Sequence, residues 1–165
     1  MPHHFPAMPQ LRILPLGECP HVMEQLAQWH YAEWGSWNPS NNVHRRMERF
    51  RDHLVPDRIP QTFVAFEGDT LLGSASIVPA DLDSHFHLSP WLASVYVNPP
   101  YRHRGVGAAL VNRAADEAKR LGLPKLYLFT PDRAAFYTRL GWEVIEQSNW
   151  GAMPVTIMQL DFTPA

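Results

Sequence analysis

The sequence predicts a mixed α/β domain, and three observations carry that prediction. Apolar residues recur at helical spacing in four segments and in strand-like runs in seven. Clusters rich in proline, glycine and asparagine punctuate those segments. The middle of the chain holds one strand–turn–helix–strand run, Trp91 to Thr130, which in a sheet makes a right-handed β-α-β crossover. In order, the chain reads β-α-α-β-β-β-α-β-α-β-β.

Each element has its own signal. Met1 to Pro9 is Pro-rich and expected to be loose. "LRILPLG", Leu11 to Gly17, is a short first strand. "HVMEQLAQWHYAEWG" sets Val22, Leu26, Trp29 and Ala32 beside Ala27, Tyr31 and Trp34, a helix closed by Gly35. "SWNPSNN" is turn chemistry. A second helix, Val43 to Leu54, lines up Val43, Met47, Phe50 and Leu54, and "VPDRIPQ" breaks it. A hairpin follows: Thr62 to Phe66, a turn at Glu67-Gly68-Asp69, then Leu71 to Val78. After the polar loop "ADLDSHFHLSP" comes the strand "WLASVYV", ending at Val97. Gly107 to Leu121 is a helix with Leu110, Val111, Ala114, Ala118 and Leu121 inward and Gly122 as its stop. "KLYLFT" is a buried strand, "RAAFYTRLG" a short helix, and "WEVIEQ" and "MPVTIMQLDF" the last two strands.

Composition removes several function classes. The 165 residues fit a single domain, 1–165, with a real core. Net charge is -2 with no long basic run, which speaks against a nucleic-acid partner. No apolar run approaches the ~18 residues that a membrane helix needs. "MPHHFPAMPQ" lacks the charged and apolar regions of a signal peptide. The single Cys19 has no internal partner, so a reducing cytoplasm is the expected location. His85 and His87 alternate without a third ligand, so no metal is expected.

The stretch that carries chemistry is "VNPPYRHRGVGAALV", Val97 to Val111. A strand ends there and a helix begins. A helix N-terminus has unpaired N–H groups and the positive end of the dipole, which suits an anion. Gly105 and Gly107 let a phosphate approach the backbone, and Arg102 and Arg104 add charge. Neither the dinucleotide nor the P-loop glycine pattern fits. The alternative reading is a turn that needs glycine, flanked by solvated arginines.

"YRHRGVGAALV" resembles motif A of the GCN5-related N-acetyltransferase superfamily, [Q/R]-x-x-G-x-[G/A]. "FYTRLGW", Phe136 to Trp142, resembles the family's Y-x-x-x-G-[F/W]. The resemblance is strongest from Phe63 to Trp142. It implies a mixed, largely antiparallel sheet with a central β-α-β crossover and flanking helices. It implies acetyl transfer from acetyl-CoA, as co-substrate, to a primary amine by direct attack. The strands at Trp91 and Lys125 would splay, with the pantetheine arm between them. Backbone groups of Val95 and Val97, flanking Tyr96, would pair with that arm like an added strand. Backbone N–H groups of Arg102, His103, Arg104, Gly105, Val106, Gly107 and Ala108 would hold the pyrophosphate. Tyr137 would be the general acid toward the departing thiolate, its other reading being a packing aromatic. Thr130 or Asp132 stands where relatives often place an asparagine toward the pantetheine.

Some relatives carry a glutamate at the start of the motif-A strand; here that position is Trp91. The base or acceptor-site candidates are therefore Glu33, Asp81, Asp83, His85 and His87, each also readable as a solvated surface residue. Trp29, Tyr31, Trp34 and Trp37 cluster around Glu33 and suit a cationic amine, with only one or two expected in the pocket. The acceptor is a small-molecule amine or a peptide. A longer acyl chain, with depth set near Ser94 and Phe129, and a non-catalytic CoA-binding module are the competing readings. The final strand "VTIMQLDF" either meets a second copy in a homodimer or is an ordinary paired strand.

Overall fold

The element order read from the sequence is the order observed. The computed structural model describes residues 10–37 and 42–163, so the N-terminal segment to Pro9 and the core of the "SWNPSNN" turn lie outside the described residues. The elements are β1 (Leu11–Pro15), α1 (Met23–Trp34), α2 (Val43–Asp52), β2 (Gln61–Glu67), β3 (Thr70–Val78), β4 (Trp91–Val97), α3 (Val106–Arg120), β5 (Lys125–Thr130), α4 (Ala134–Arg139), β6 (Glu143–Trp150) and β7 (Met153–Asp161). One sheet takes the strands in the order β1-β2-β3-β4-β5-β7-β6. Every neighbouring pair is antiparallel except β4 and β5, which the α3 crossover makes parallel.

Local chemistry sets the boundaries. Pro15 ends β1, and two single turns of 3-10 helix, Leu16–Glu18 and Pro20–Val22, lead into α1. Asn42 caps α2 by accepting from the Arg45 N–H at 2.9 Å. Gly122, at φ +80°, stops α3 while the Leu123 N–H returns to the Ala118 carbonyl at 3.1 Å. β6 runs past the predicted Gln147 to Trp150, because its hairpin with β7 continues to the pair Trp150–Met153.

Period-two alternation divides the two faces of the sheet. Phe63 and Ala65 join Leu72, Leu92, Leu126 and Met158 beneath α3. Val64 and Phe66 turn the other way, to Leu26 and Phe50 of α1 and α2. A third cluster, Leu82, Trp91 and Ile157, lies with Tyr127, Phe129 and Trp150 packed around it. β7 pairs on both sides, with β5 and β6, and β1 and β6 are the two edge strands.

Candidate functional site

The parallel pair β4–β5 holds the main geometric feature. A single registered pair joins them, Trp91 with Tyr127, beside a Tyr127 N–H to Pro90 carbonyl bond of 3.0 Å. Beyond it the strands separate, leaving the rest of β4 without a ladder on that side. β4 also bulges there. Ser74 pairs with Tyr96 and Ser76 with Ala93, so Ser94 and Val95 together face Ala75. Ser94 takes φ +53°, a left-handed conformation unusual for a residue with a side chain. Val95 and Val97 are part-buried against the α3 cluster.

At the far end of β4 the chain enters α3 through a 3-10 turn, Pro99–Tyr101. His103 and Gly105 both lie in the left-handed region, at φ +64° and +84°. The first intrahelical bond runs from the Ala109 N–H to the Gly105 carbonyl at 3.1 Å. The N–H groups just before it have no intrahelical acceptor, and no side chain caps the helix. At Gly107 an added Cβ would stand 3.6 Å from Val97 and 3.7 Å from Phe136, so a methyl fits and a larger group would fill the approach. The residues present therefore suit a diphosphate. The arginines beside them are otherwise engaged. The Arg102 N–H bonds the Pro99 carbonyl at 3.2 Å, its Nε donates to the Val97 carbonyl at 2.7 Å, and its guanidinium lies 3.9 Å from Glu33. Arg104 pairs with Glu67 at 3.2 Å.

α4 meets this entry at Phe136, and Tyr137 follows it in the chain. Its ring packs between Phe136 and Trp142, at 5.0 and 6.1 Å. Burial, with Asp132 nearby, pushes its hydroxyl up to about 12 against an opposing pull from Arg133. The phenol is thus held protonated through the neutral range. Thr130 is buried and its Oγ1 accepts from the Arg133 N–H at 3.0 Å, so it organises the start of α4. Asp132 is exposed.

The α1 and α2 face of the sheet carries a polar group that helical spacing concealed. His30 of α1 is fully buried; it contacts the Ser74 hydroxyl at 2.9 Å and accepts from Arg46 of α2 at 3.1 Å. His53 reaches Thr62 at 2.8 Å, and Thr62 meets Ser76 at 2.7 Å. Burial holds His30 well below its ordinary range and lowers His53 to about 4. Asp81, just past β3, is pushed up to about 7 by burial, against the pull of Arg46.

The predicted acceptor residues divide. Trp29 and Trp34 both pack on Tyr96, at 5.6 and 5.9 Å. Tyr31 is exposed, and the Trp37 side chain lies outside the described residues. Glu33 faces Arg102 rather than a neighbouring tryptophan. His85 contacts Glu146 of β6 and Ser84, which ties the 80–90 loop across to the far edge of the sheet, and it stacks on His87 at 5.7 Å. Asp83 is exposed. Only Asp81 stands electrostatically beside the His30–Arg46 group. Among the described residues no cluster of three metal-ligating side chains occurs. No helix there is long and apolar enough to cross a membrane.

Comparison with known proteins adds the following. A profile of the acetyltransferase (GNAT) family matches residues 23–142. An amino-acid acetyltransferase of Photorhabdus laumondii is 32% identical over 103 residues, 62% of this chain and 22% of that protein. The matched region is under a quarter of the length of the curated relatives. The crystal structure of an aminoglycoside 6'-acetyltransferase type Ii superposes with a TM-score of 0.72 at 21% identity, covering 93% of this chain and 99% of the other. An aminoglycoside 6'-N-acetyltransferase complexed with coenzyme A gives 0.71 at 19% identity, over 93% and 98%. These two likenesses bear on fold.

Proposed function

The chain belongs to the acetyltransferase (GNAT) family, and from that premise we propose that it moves the acetyl group of acetyl-CoA to a primary amine by direct attack in a ternary complex. The observation that carries the reading is the splay after the single Trp91–Tyr127 pair, opening next to the uncapped N-terminus of α3. A pantetheine arm would complete the β4 ladder at Val95 and Val97. The N–H groups of Gly105, Val106, Gly107 and Ala108 would take the diphosphate, with the helix dipole behind them. The coenzyme A bound in the similarly folded aminoglycoside enzyme agrees with this use of the fold.

In the reaction the amine nitrogen attacks the thioester carbonyl. A C–N bond forms, the C–S bond breaks, and sulfur leaves with the electron pair. Tyr137, held protonated by burial, supplies the proton to that thiolate, and the proton that the acylated nitrogen releases returns through solvent to the phenolate. The ammonium must first lose a proton. Asp81 is assigned as the group that takes it, directly or through water, because Glu33 and His85 are occupied by Arg102 and Glu146. The names of the relatives point to different amines, an amino acid and an aminoglycoside, so the acceptor is stated at this level as a primary amine.

The test is thiol release from acetyl-CoA against polyamines, aminoglycosides, amino acids and N-terminal peptides. Release that depends on one acceptor class supports the reading. Absence of release, together with no thermal stabilisation by CoA, would overturn it.

A further inference from the structure

Among the described residues, one cation on the acceptor face has no anion in direct contact with it. Arg46 is part-buried, and its Nε is enclosed with no hydrogen-bond acceptor. Nη1 donates to His30 Nδ1 at 3.1 Å, and the guanidinium lies 5.7 Å from the Trp34 ring. Among the described residues no carboxylate forms an ion pair with it. Asp81 acts on it only from beyond contact. A partly desolvated guanidinium with no carboxylate in contact is costly to maintain.

The surroundings hold it in one orientation. Because His30 Nδ1 accepts from Arg46, the imidazole proton sits on Nε2 and is donated to Ser74. Trp34, which covers the guanidinium, also meets Tyr96 of β4 at 5.9 Å. Arg46 is therefore one aromatic ring away from the strand that borders the splay. A guanidinium with an unmet Nε is suited to a planar carboxylate.

We propose that Arg46 receives a carboxylate of the acceptor, so that the substrate is an amine that also carries a carboxylate, such as an amino acid, rather than a polyamine or aminoglycoside. The inference rests on the acetyl-transfer reading above and narrows its acceptor.

The experiment compares matched pairs: leucine with isopentylamine, lysine with cadaverine, and 5-aminovalerate with pentylamine. Thiol release is read for the wild type, Arg46→Gln and Arg46→Lys. The wild type should favour the carboxylate member in kcat/KM by about 10- to 100-fold, the worth of a charge-assisted contact. Arg46→Gln should bring that ratio close to one while CoA still stabilises the protein to heat. Arg46→Lys should retain part of it. Equal use of both members by the wild type, or a ratio unmoved in Arg46→Gln, overturns the assignment and leaves acetyl transfer standing. If no amine is turned over, thermal shift in the presence of CoA decides. Stabilisation by the carboxylate member alone, lost in Arg46→Gln, supports the site; no shift by either member refutes it.

Discussion

Tyr137 and Asp81 are both ionisable and buried enough to be shifted, and both move toward the neutral form. Desolvation dominates each, yet the consequences differ. Tyr137 keeps its proton and can give it away. Tyr137→Phe should lower kcat by about 100-fold while CoA affinity, read by calorimetry, stays unchanged. Asp81 titrates near 7, so kcat/KM for the wild type should rise through about pH 7, and Asp81→Asn should remove that limb. Stability has a definite sign as well. A carboxyl raised above its unfolded value near 3.8 costs stability progressively as pH climbs from that value to about 7. Asp81→Asn should thus be more stable than wild type at pH 8 by about 1–2 kcal/mol, a gap that closes toward pH 4 in denaturant titrations. His30 was legible only in hindsight. It stands four residues after Leu26, on the stripe that reads as apolar, but a stripe scored on apolar residues passes over a histidine. Its partners Ser74 and Arg46 are distant in sequence, and no local pattern reports them.

Among the elements, the strand–turn–helix of β4 and α3 was the most readable, because glycine and proline there answer backbone requirements rather than packing. The bounds of β4 and β5 match the sequence reading residue for residue. Gly107→Ala should preserve CoA binding, since the methyl meets only ordinary contacts, whereas Gly107→Glu should abolish it with the fold intact by circular dichroism. Gly73 serves a different need. A Cβ there would come within 2.2 Å of the Tyr96 carbonyl, so Gly73→Val should destabilise the β3–β4 pairing by about 2–4 kcal/mol. The β4 bulge and the full reach of β6 were not legible. Both depend on which strand lies alongside, and pairing is a long-range property.

For the whole molecule, buried His30 and half-buried His53 set the acid limit. Each is held neutral in the folded state and gains a proton on unfolding, so stability falls as pH drops below about 6.5, the His53 share continuing down to about 4. Asp81 runs the opposite way over part of that range, but two groups oppose one. The melting temperature should be lower at pH 5 than at pH 7, and His53→Gln should narrow the difference. The fold class and strand count followed from the sequence because the periods are clear. Which acidic groups reach the acceptor face did not, since that depends on how α2 and the 80–90 loop lie over the sheet.

The single ladder step between β4 and β5 also makes the sheet two plates joined along a seam. One plate is β1 to β4, the other β5 to β7, and α3 bridges them. Such a seam is a line of weakness at which partial opening costs less than global unfolding. Amides of β5 and β7 should exchange with deuterium through that opening faster than those of β2 and β3. A molecule lying across the gap would bolt the plates together, and the exchange rates of the two halves would then converge.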